Sequence, residues 1–451
     1  MNKVSGLVRE WGMLWRIALL FSVSASCLLS SEPERPNFIF ILGDDINRDQ
    51  LGPYGGEALT PHLDELAREG MRFDRVYANV AMCAPFRQEL YSGRSSWRTD
   101  TLPNHSRSKA ETQSLPHYLR PLGYRVGLVG KSHVGPPEAY PFDMLGDVSK
   151  KEDGNPEMMQ KATAYLDKAL QEEAPFCLFF ASHDGHGPYT TGDPDLYDAE
   201  ALTIPPYWVD TPELREELVK HMAEITNLDA LVGMVKDYLE ENDLLERTIL
   251  VFCSEQGNSF PFAKWTCFDH GLHTGVIASC PGTIPAGTVA PHLMQLADFA
   301  PTFIEAAGGT VESEDFDGRS QWANFLGGDQ SVHSFVYGAF TNCRIIDNRT
   351  RVFPIRSIRD ERYSLVWSPR GDEGITSNTS LSQALRVVTE GAIPKEPNAA
   401  ASWAVQEGAD HPLVKQLHHR PEWALYDRDK DPLELTNVAD DPELKPVRER
   451  L

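Results

Sequence analysis

Four short runs of β-forming apolar residues, each cut off by a glycine or polar cluster, constrain this chain most. They are Asn37–Leu42, Tyr124–Val129, Pro175–Ala181 and Thr248–Cys253. An unbroken apolar run reads as a strand buried on both faces, the habit of parallel sheets covered by helices. Helical segments lie between and after them. Thr60 and Pro61 open one, with Leu63, Leu66 and Ala67 as its apolar stripe and Gly70 as its stop. Thr211-Pro212-Glu213 opens a second that runs to about Glu241. A third covers Asp298–Glu305 and ends at Gly308-Gly309. Strands alternating with helices predict an α/β fold around a mostly parallel sheet. A chain of 451 residues, 41% hydrophobic, has material for one large core and a smaller unit. After about Trp322 the texture changes. Phe335–Phe340, Arg351–Ser357 and Arg362–Trp367 read as short meander strands, predicting a small antiparallel sheet with a closing helix. Residues 368–420 read as loop, then weak helix.

Ligands of open α/β sheets bind at the carboxyl ends of the strands. Asp44 and Asp45 follow the first run. Adjacent carboxylates repel each other and need a cation or solvent, although Gly-Asp-Asp is also good turn chemistry. Oxygen donors suit calcium or magnesium better than zinc. Gly130-Lys131-Ser132-His133-Val134-Gly135 follows the second run. A lysine and a histidine two residues apart can reach one anion, the first as fixed charge and the second also as proton shuttle. The third run leads into Ser182-His183-Asp184-Gly185-His186-Gly187-Pro188. The fourth leads into Ser254-Glu255-Gln256-Gly257, with Lys264-Trp265 beyond. Between the first two runs stands Cys83-Ala84-Pro85-Phe86-Arg87, followed by Ser92-Gly93-Arg94. By itself such a cysteine is ordinarily a small buried hydrophobe.

In this order the motifs resemble those of the sulfatase family. The family signature is C-x-P-S-R followed by Thr-Gly; here Phe86 replaces the serine and Ser92 the threonine. Cys83, Pro85 and Arg87, which the formylglycine-generating machinery reads, are intact. The Gly-Lys-x-His-x-Gly pattern falls on Lys131 and His133. A histidine followed by x-Pro falls on His186, whereas His183 does not fit and reads as a structural loop residue. Where the family has Ser-Asp-His-Gly or Ser-Asp-Asn-Gly, this chain has Glu255 and Gln256. Both replacements keep an oxygen donor and add a methylene, which calcium tolerates better than a strictly octahedral metal. Lys264 matches a sulfate-contacting lysine. The resemblance runs from Pro36 to about Asn437. Narrower stretches are similar to heparan N-sulfatases (sulfamidases) and their bacterial relatives. These are Lys131–Pro136 with Tyr140-Pro141-Phe142-Asp143, Phe353–Ile358, and Trp423–Arg428 with Asp431-Pro432 and Asn437.

The resemblance implies an alkaline-phosphatase-like fold, a parallel sheet sandwiched by helices, with a smaller C-terminal α+β subdomain. The expected plan is a signal peptide over 1–31, a catalytic domain over 32–325 and the subdomain over 326–451. It further implies a formylglycine made from Cys83, whose hydrated gem-diol attacks sulfur. The metal, calcium ahead of magnesium, would be held by Asp44, Asp45, Glu255, Gln256 and the modified Cys83. Arg87 would orient the diol, and Lys131 and Lys264 would offset charge on the sulfate. His186 would protonate the leaving atom, and His133 would take the proton of the second hydroxyl. The implied partners are a sulfated carbohydrate substrate and the formylglycine-generating enzyme during maturation. Two other readings remain open: a phosphonate or phosphate ester hydrolase of the same superfamily, and a non-catalytic sulfated-glycan-binding protein with Cys83 left as a thiol. Two-zinc members need histidine clusters, which Glu255 and Gln256 do not supply.

The net charge of −24 argues against a nucleic-acid partner and requires any anion site to be locally basic. Lys3, Arg9 and Arg16, the apolar stretch Ile17–Leu29 and the small residues Ser24-Ala25-Ser26 read as an export signal. Periplasmic or extracellular location is therefore expected, with Cys27 a possible lipid anchor. Cys177, Cys253, Cys267, Cys280 and Cys343 fit no zinc spacing, and a disulfide among the middle three stays open. Asn104, Asn348 and Asn378 begin glycosylation patterns that carry no meaning in a bacterium.

Overall fold

The computed structural model describes residues 35–148, 154–341, 345–346, 349–350, 352–373 and 380–451. The export signal and Cys27 fall outside them, as do Cys343, Asn348 and Asn378. The larger sheet has eight strands: β1 (Asn37–Leu42), β2 (Met71–Tyr77), β3 (Arg125–Gly130), β4 (Asp143–Gly146), β5 (Phe176–Ala181), β6 (Thr248–Cys253), β7 (His273–Ser279) and β8 (Thr288–Gln295). Their order is β4-β3-β5-β1-β6-β7-β2-β8. All neighbours are parallel except those of β7, which runs against both β6 and β2. The four predicted strands form its centre. β1, β5 and β6 are buried at every residue, which is why they read as apolar runs rather than alternations.

The helices gather into two groups. One contains Cys83–Ser92 and Phe299–Ala306; the other contains Pro61–Glu69, Asn155–Gln171 and Pro212–Glu241. Phe38 stacks on Phe303 with ring centroids 4.7 Å apart, and Phe40 meets Phe299 edge-on at 5.2 Å. The helix Pro212–Glu241 starts where the sequence predicts: the Thr211 hydroxyl accepts from the Leu214 N–H at 3.1 Å, with Pro212 at the first position. The predicted Asp298–Glu305 helix is observed as Phe299–Ala306, preceded by a 3₁₀ turn over Leu296–Asp298.

A second, separate sheet is antiparallel and contains Val336–Thr341, Pro354–Arg359, Tyr363–Trp367 and Trp423–Asp427. The closing helix is Lys445–Arg450; its Val447 and the preceding Leu444 pack on Leu365 and Leu425. Cys83, Cys177, Cys253, Cys267 and Cys280 are all free thiols, so no disulfide joins the middle three. No helix among the described residues is long and apolar enough to cross a membrane.

Candidate active site

Register brings the predicted residues together. Leu42 at the end of β1 lies beside Ala181 of β5 and Cys253 of β6, and Ala181 lies beside Gly130 of β3. The four strands therefore stop level. The residues just beyond them, Asp44-Asp45, Lys131-His133, Ser182–His186 and Glu255-Gln256, emerge into one crevice at the carboxyl edge. Asp45, His133 and Glu255 take left-handed backbone, with φ of +59°, +51° and +53°. That conformation is uncommon for residues with a Cβ and gathers at functional sites, where surrounding structure holds it.

The acidic oxygens and the cations interlock. The Lys131 ammonium donates to Asp44, and the Gln256 amide donates to Asp45. Lys264 Nζ donates to Asp45 Oδ1 at 2.6 Å. Lys264 itself is buried, held in a turn where Phe262 and Trp265 have φ of +71° and +65°. Arg87 Nε donates to Glu255 Oε1 at 2.7 Å, and its Nη1 donates to the Lys131 carbonyl at 2.6 Å. Asp44, Asp45, Arg87, Glu255 and Gln256 are all essentially inaccessible to solvent.

Three buried oxygens in this cluster, Asp44 Oδ1, Glu255 Oε2 and Gln256 Oε1, find no hydrogen-bond donor among the described residues. One oxygen each from Asp44, Asp45 and Glu255 lies within 4.8 Å of the others. Buried acceptors without donors, converging from carboxylates and an amide, fit a hard cation. Titration agrees. Burial pushes the Asp44 carboxyl up, but Lys131, Glu255 and Arg87 together hold it well below its usual range. Burial drives Glu255 well above its own, against Arg87 and with help from Asp44's charge. One carboxylate of this pair thus tends to keep a proton that a cation would displace.

Cys83 is the first residue of the helix Cys83–Ser92, all ten residues of which are buried. The positive dipole end of the helix thus carries the thiol. Burial pushes that thiol up to about 11, although Lys264 and Lys131 pull it down. At neutral pH it is therefore a protonated thiol and a poor nucleophile in its unmodified form.

His186 Nδ1 donates to the Gly187 carbonyl at 2.7 Å, and its Nε2 lies 3.8 Å from Asp45 Oδ2. Asp45's charge works to raise its pKa, but burial and the nearby lysines prevail and lower it. Its loop is anchored by buried Glu224, which accepts from the N–H groups of Gly185 at 2.9 Å and Thr190 at 2.7 Å. Burial, then Lys131 and Arg87, push His133 down to about 3, so it is neutral. His183 pairs instead with Asp147 at 2.8 Å, in keeping with a structural part.

Some site residues escaped the sequence reading. Asn104, noticed there only as a glycosylation pattern, points its carbonyl oxygen at the Ala84 N–H at 3.3 Å and lies 3.8 Å from the Cys83 sulfur. His105 contacts the His133 ring. Gln50 Oε1 gathers Asn47 N, Asn258 Nδ2 and His221, tying the β1 loop to the β6 loop. Asn258 in turn accepts the backbone N–H of Lys264 at 2.9 Å. None of these lies in a catalytic or metal-binding motif; only tertiary contact reveals them.

Fold and crevice together define an α/β protein of alkaline-phosphatase-like architecture, with an acidic oxygen cluster interlocked with Arg87, Lys131 and Lys264. The sulfatase family model matches residues 36–309, and the chain belongs to that family and is a sulfuric ester hydrolase. It is 31% identical over 435 residues to an ulvan-active sulfatase of Formosa agariphila, covering 94% of this chain and 79% of that protein. Human N-sulphoglucosamine sulphohydrolase is 25% identical, with 92% and 88% of the two chains covered. A solved structure in complex with its substrate D-glucosamine-2-N,6-O-disulfate superposes with a TM-score of 0.69 at 19% identity, covering 93% of this chain and 96% of that one. Phosphonate monoester hydrolases share the fold, so the fold alone does not choose between sulfur and phosphorus.

Proposed function

We propose that this protein is an exported sulfatase that removes sulfate from a sulfated carbohydrate, using a formylglycine made from Cys83 and a bound calcium ion. The observation that carries this reading is the placement of Cys83. It opens a buried helix and lies within electrostatic reach of Lys131, Lys264, Asp44 and Glu255. The metal, held by Asp44, Asp45, Glu255, Gln256 and the modified Cys83, would polarise a sulfate oxygen, and the hydrated aldehyde would supply the nucleophile. Lys131 and Lys264, both kept charged by the carboxylates beside them, offset charge on the sulfate oxygens. Arg87 is locked between Glu255 and the Lys131 carbonyl and holds the nucleophile's helix against the β6 loop. His186, whose Nε2 lies 3.8 Å from Asp45 Oδ2, would protonate the leaving oxygen or nitrogen. Neutral His133 orients the nucleophile and is a weak acceptor for the proton lost in the second step.

The domain plan follows this reading: residues 1–31 as export signal, 32–325 as the catalytic domain, 326–451 as the subdomain shaping the pocket. A plain thiol would not serve, because its sulfated adduct has no second hydroxyl from which to expel sulfate. Cys83→Ala is expected to abolish release of sulfate from an aryl sulfate while leaving the thermal midpoint within about 2 °C. Chelation of the wild type is expected to have the same effect on turnover, reversed by calcium. A parallel assay on an aryl phosphonate decides the competing chemistry: faster phosphonate than sulfate turnover would overturn the assignment.

A further inference from the structure

A cavity of ≈ 450 Å³ opens at the far end of the nucleophile helix, between the edge of the main sheet and the antiparallel sheet. None of the site residues lines it. Its floor includes Glu89, two turns along the helix from Cys83. Glu89 is 1% exposed, and neither carboxyl oxygen has a hydrogen-bond partner among the described residues. A buried carboxyl without partners is costly, and it borders a space large enough to take a sugar ring with its substituents. The rim carries large exposed aromatic surface: Trp97 is 53% and Tyr337 52% accessible. Arg356, from the Phe353–Ile358 stretch, stacks its guanidinium 4.3 Å above the Trp97 ring. Arg319 also lines the cavity; its backbone N–H donates to Asp298 Oδ1 at 2.8 Å, while its guanidinium donates to the Val332 carbonyl at 2.9 Å and pairs with no carboxylate among the described residues.

We propose that this cavity is a second glycan-binding site, which holds one sulfated sugar unit of a polymeric substrate away from the reaction centre. The sugar face rests on Trp97 and Tyr337, a ring hydroxyl pairs with Glu89, and a sulfate meets Arg319 beside Arg356. The inference rests on the sulfated-carbohydrate reading above and deepens it. On a protein of net charge −24, two arginines at one cavity are a local basic spot, since Asp317 on the same lining is paired with Arg98 at 3.3 Å. Its use is to keep a long chain on the enzyme between cleavages, by effective concentration.

The test uses the full protein and its Trp97→Ala and Arg319→Ala variants, both changed at exposed positions. Binding to ulvan and to heparin oligosaccharides is measured by titration calorimetry, and hydrolysis of an aryl sulfate is measured alongside. Each variant is expected to bind the oligosaccharides about tenfold more weakly, with aryl sulfate kcat/KM unchanged within twofold. Unchanged binding in both variants, or wild-type binding abolished by blocking the reaction centre alone, would overturn the second site. Loss of binding in the variants of a wild type that hydrolyses no sulfate ester would support the second site and sink the catalytic reading instead. Binding of the desulfated oligosaccharides as tightly as the sulfated ones would remove Arg319 and Arg356 from the site and contradict the proposal.

Discussion

Single side chains here carry unequal parts of the argument, and His186 and Glu89 make the clearest predictions. The role proposed for His186 is to protonate the leaving atom, and a proton donor matters most when that atom is a poor leaving group. His186→Ala is expected to cost about 10²-fold or more in kcat/KM on a sugar sulfate, but under about tenfold on 4-nitrophenyl sulfate. Equal losses on both substrates would show that it binds sulfate rather than protonates. Glu89 gives a pH prediction of definite sign. Burial, with Asp317 and Asp298 nearby, holds its folded pKa well above its usual value near 4.5. The folded state keeps a proton that the unfolded state releases, so this residue's contribution is intact below about 4.5 and lost as pH rises toward the folded pKa. Glu89→Gln should match the wild type in melting experiments at pH 4 and exceed it by about 1–3 kcal/mol at pH 8. Equal curves at both pH values would mean that Glu89 is well paired.

Strands and helices explain both what the sequence shows and what it hides. β1, β3, β5 and β6 are legible because both faces are buried and the apolar run is nearly continuous. β2 is not. Met71-Arg72-Phe73-Asp74-Arg75-Val76-Tyr77 is half-buried, with charged residues between the core positions, and its pairing is irregular. β8 carries Pro291, and β7 depends on a reversal of direction that no periodicity announces. The helix bearing Cys83 makes the element-scale prediction. With every residue buried and the thiol at about 11, Cys83 in the folded, unmodified protein should resist iodoacetamide for hours at pH 8. It should react within minutes in denaturant, as read by peptide mass. Rapid labelling of the native protein would refute the packing described. On the proposed mechanism, the same burial requires enzymatic oxidation to precede packing of this helix.

Across the whole molecule, the site is assembled from segments more than two hundred residues apart, and only sheet register makes them neighbours. Motif spacing could nominate Asp44, Lys131, His186 and Glu255, since each follows a readable strand. It could not find Asn104, Gln50, Asn258 or Glu224, whose work is to fix loops against one another. Nor could it show that Lys264 is buried against Asp45 rather than lying on the surface. The central claim is that an aldehyde derived from Cys83 performs the reaction. Peptide mass spectrometry of residues 76–87 in preparations made with and without the formylglycine-generating enzyme tests it most directly. The account predicts that sulfate-releasing activity scales in proportion to the lighter form of that peptide, in which residue 83 has lost its sulfur while Met82 keeps its own. Full activity in a preparation whose Cys83 is wholly thiol would contradict it.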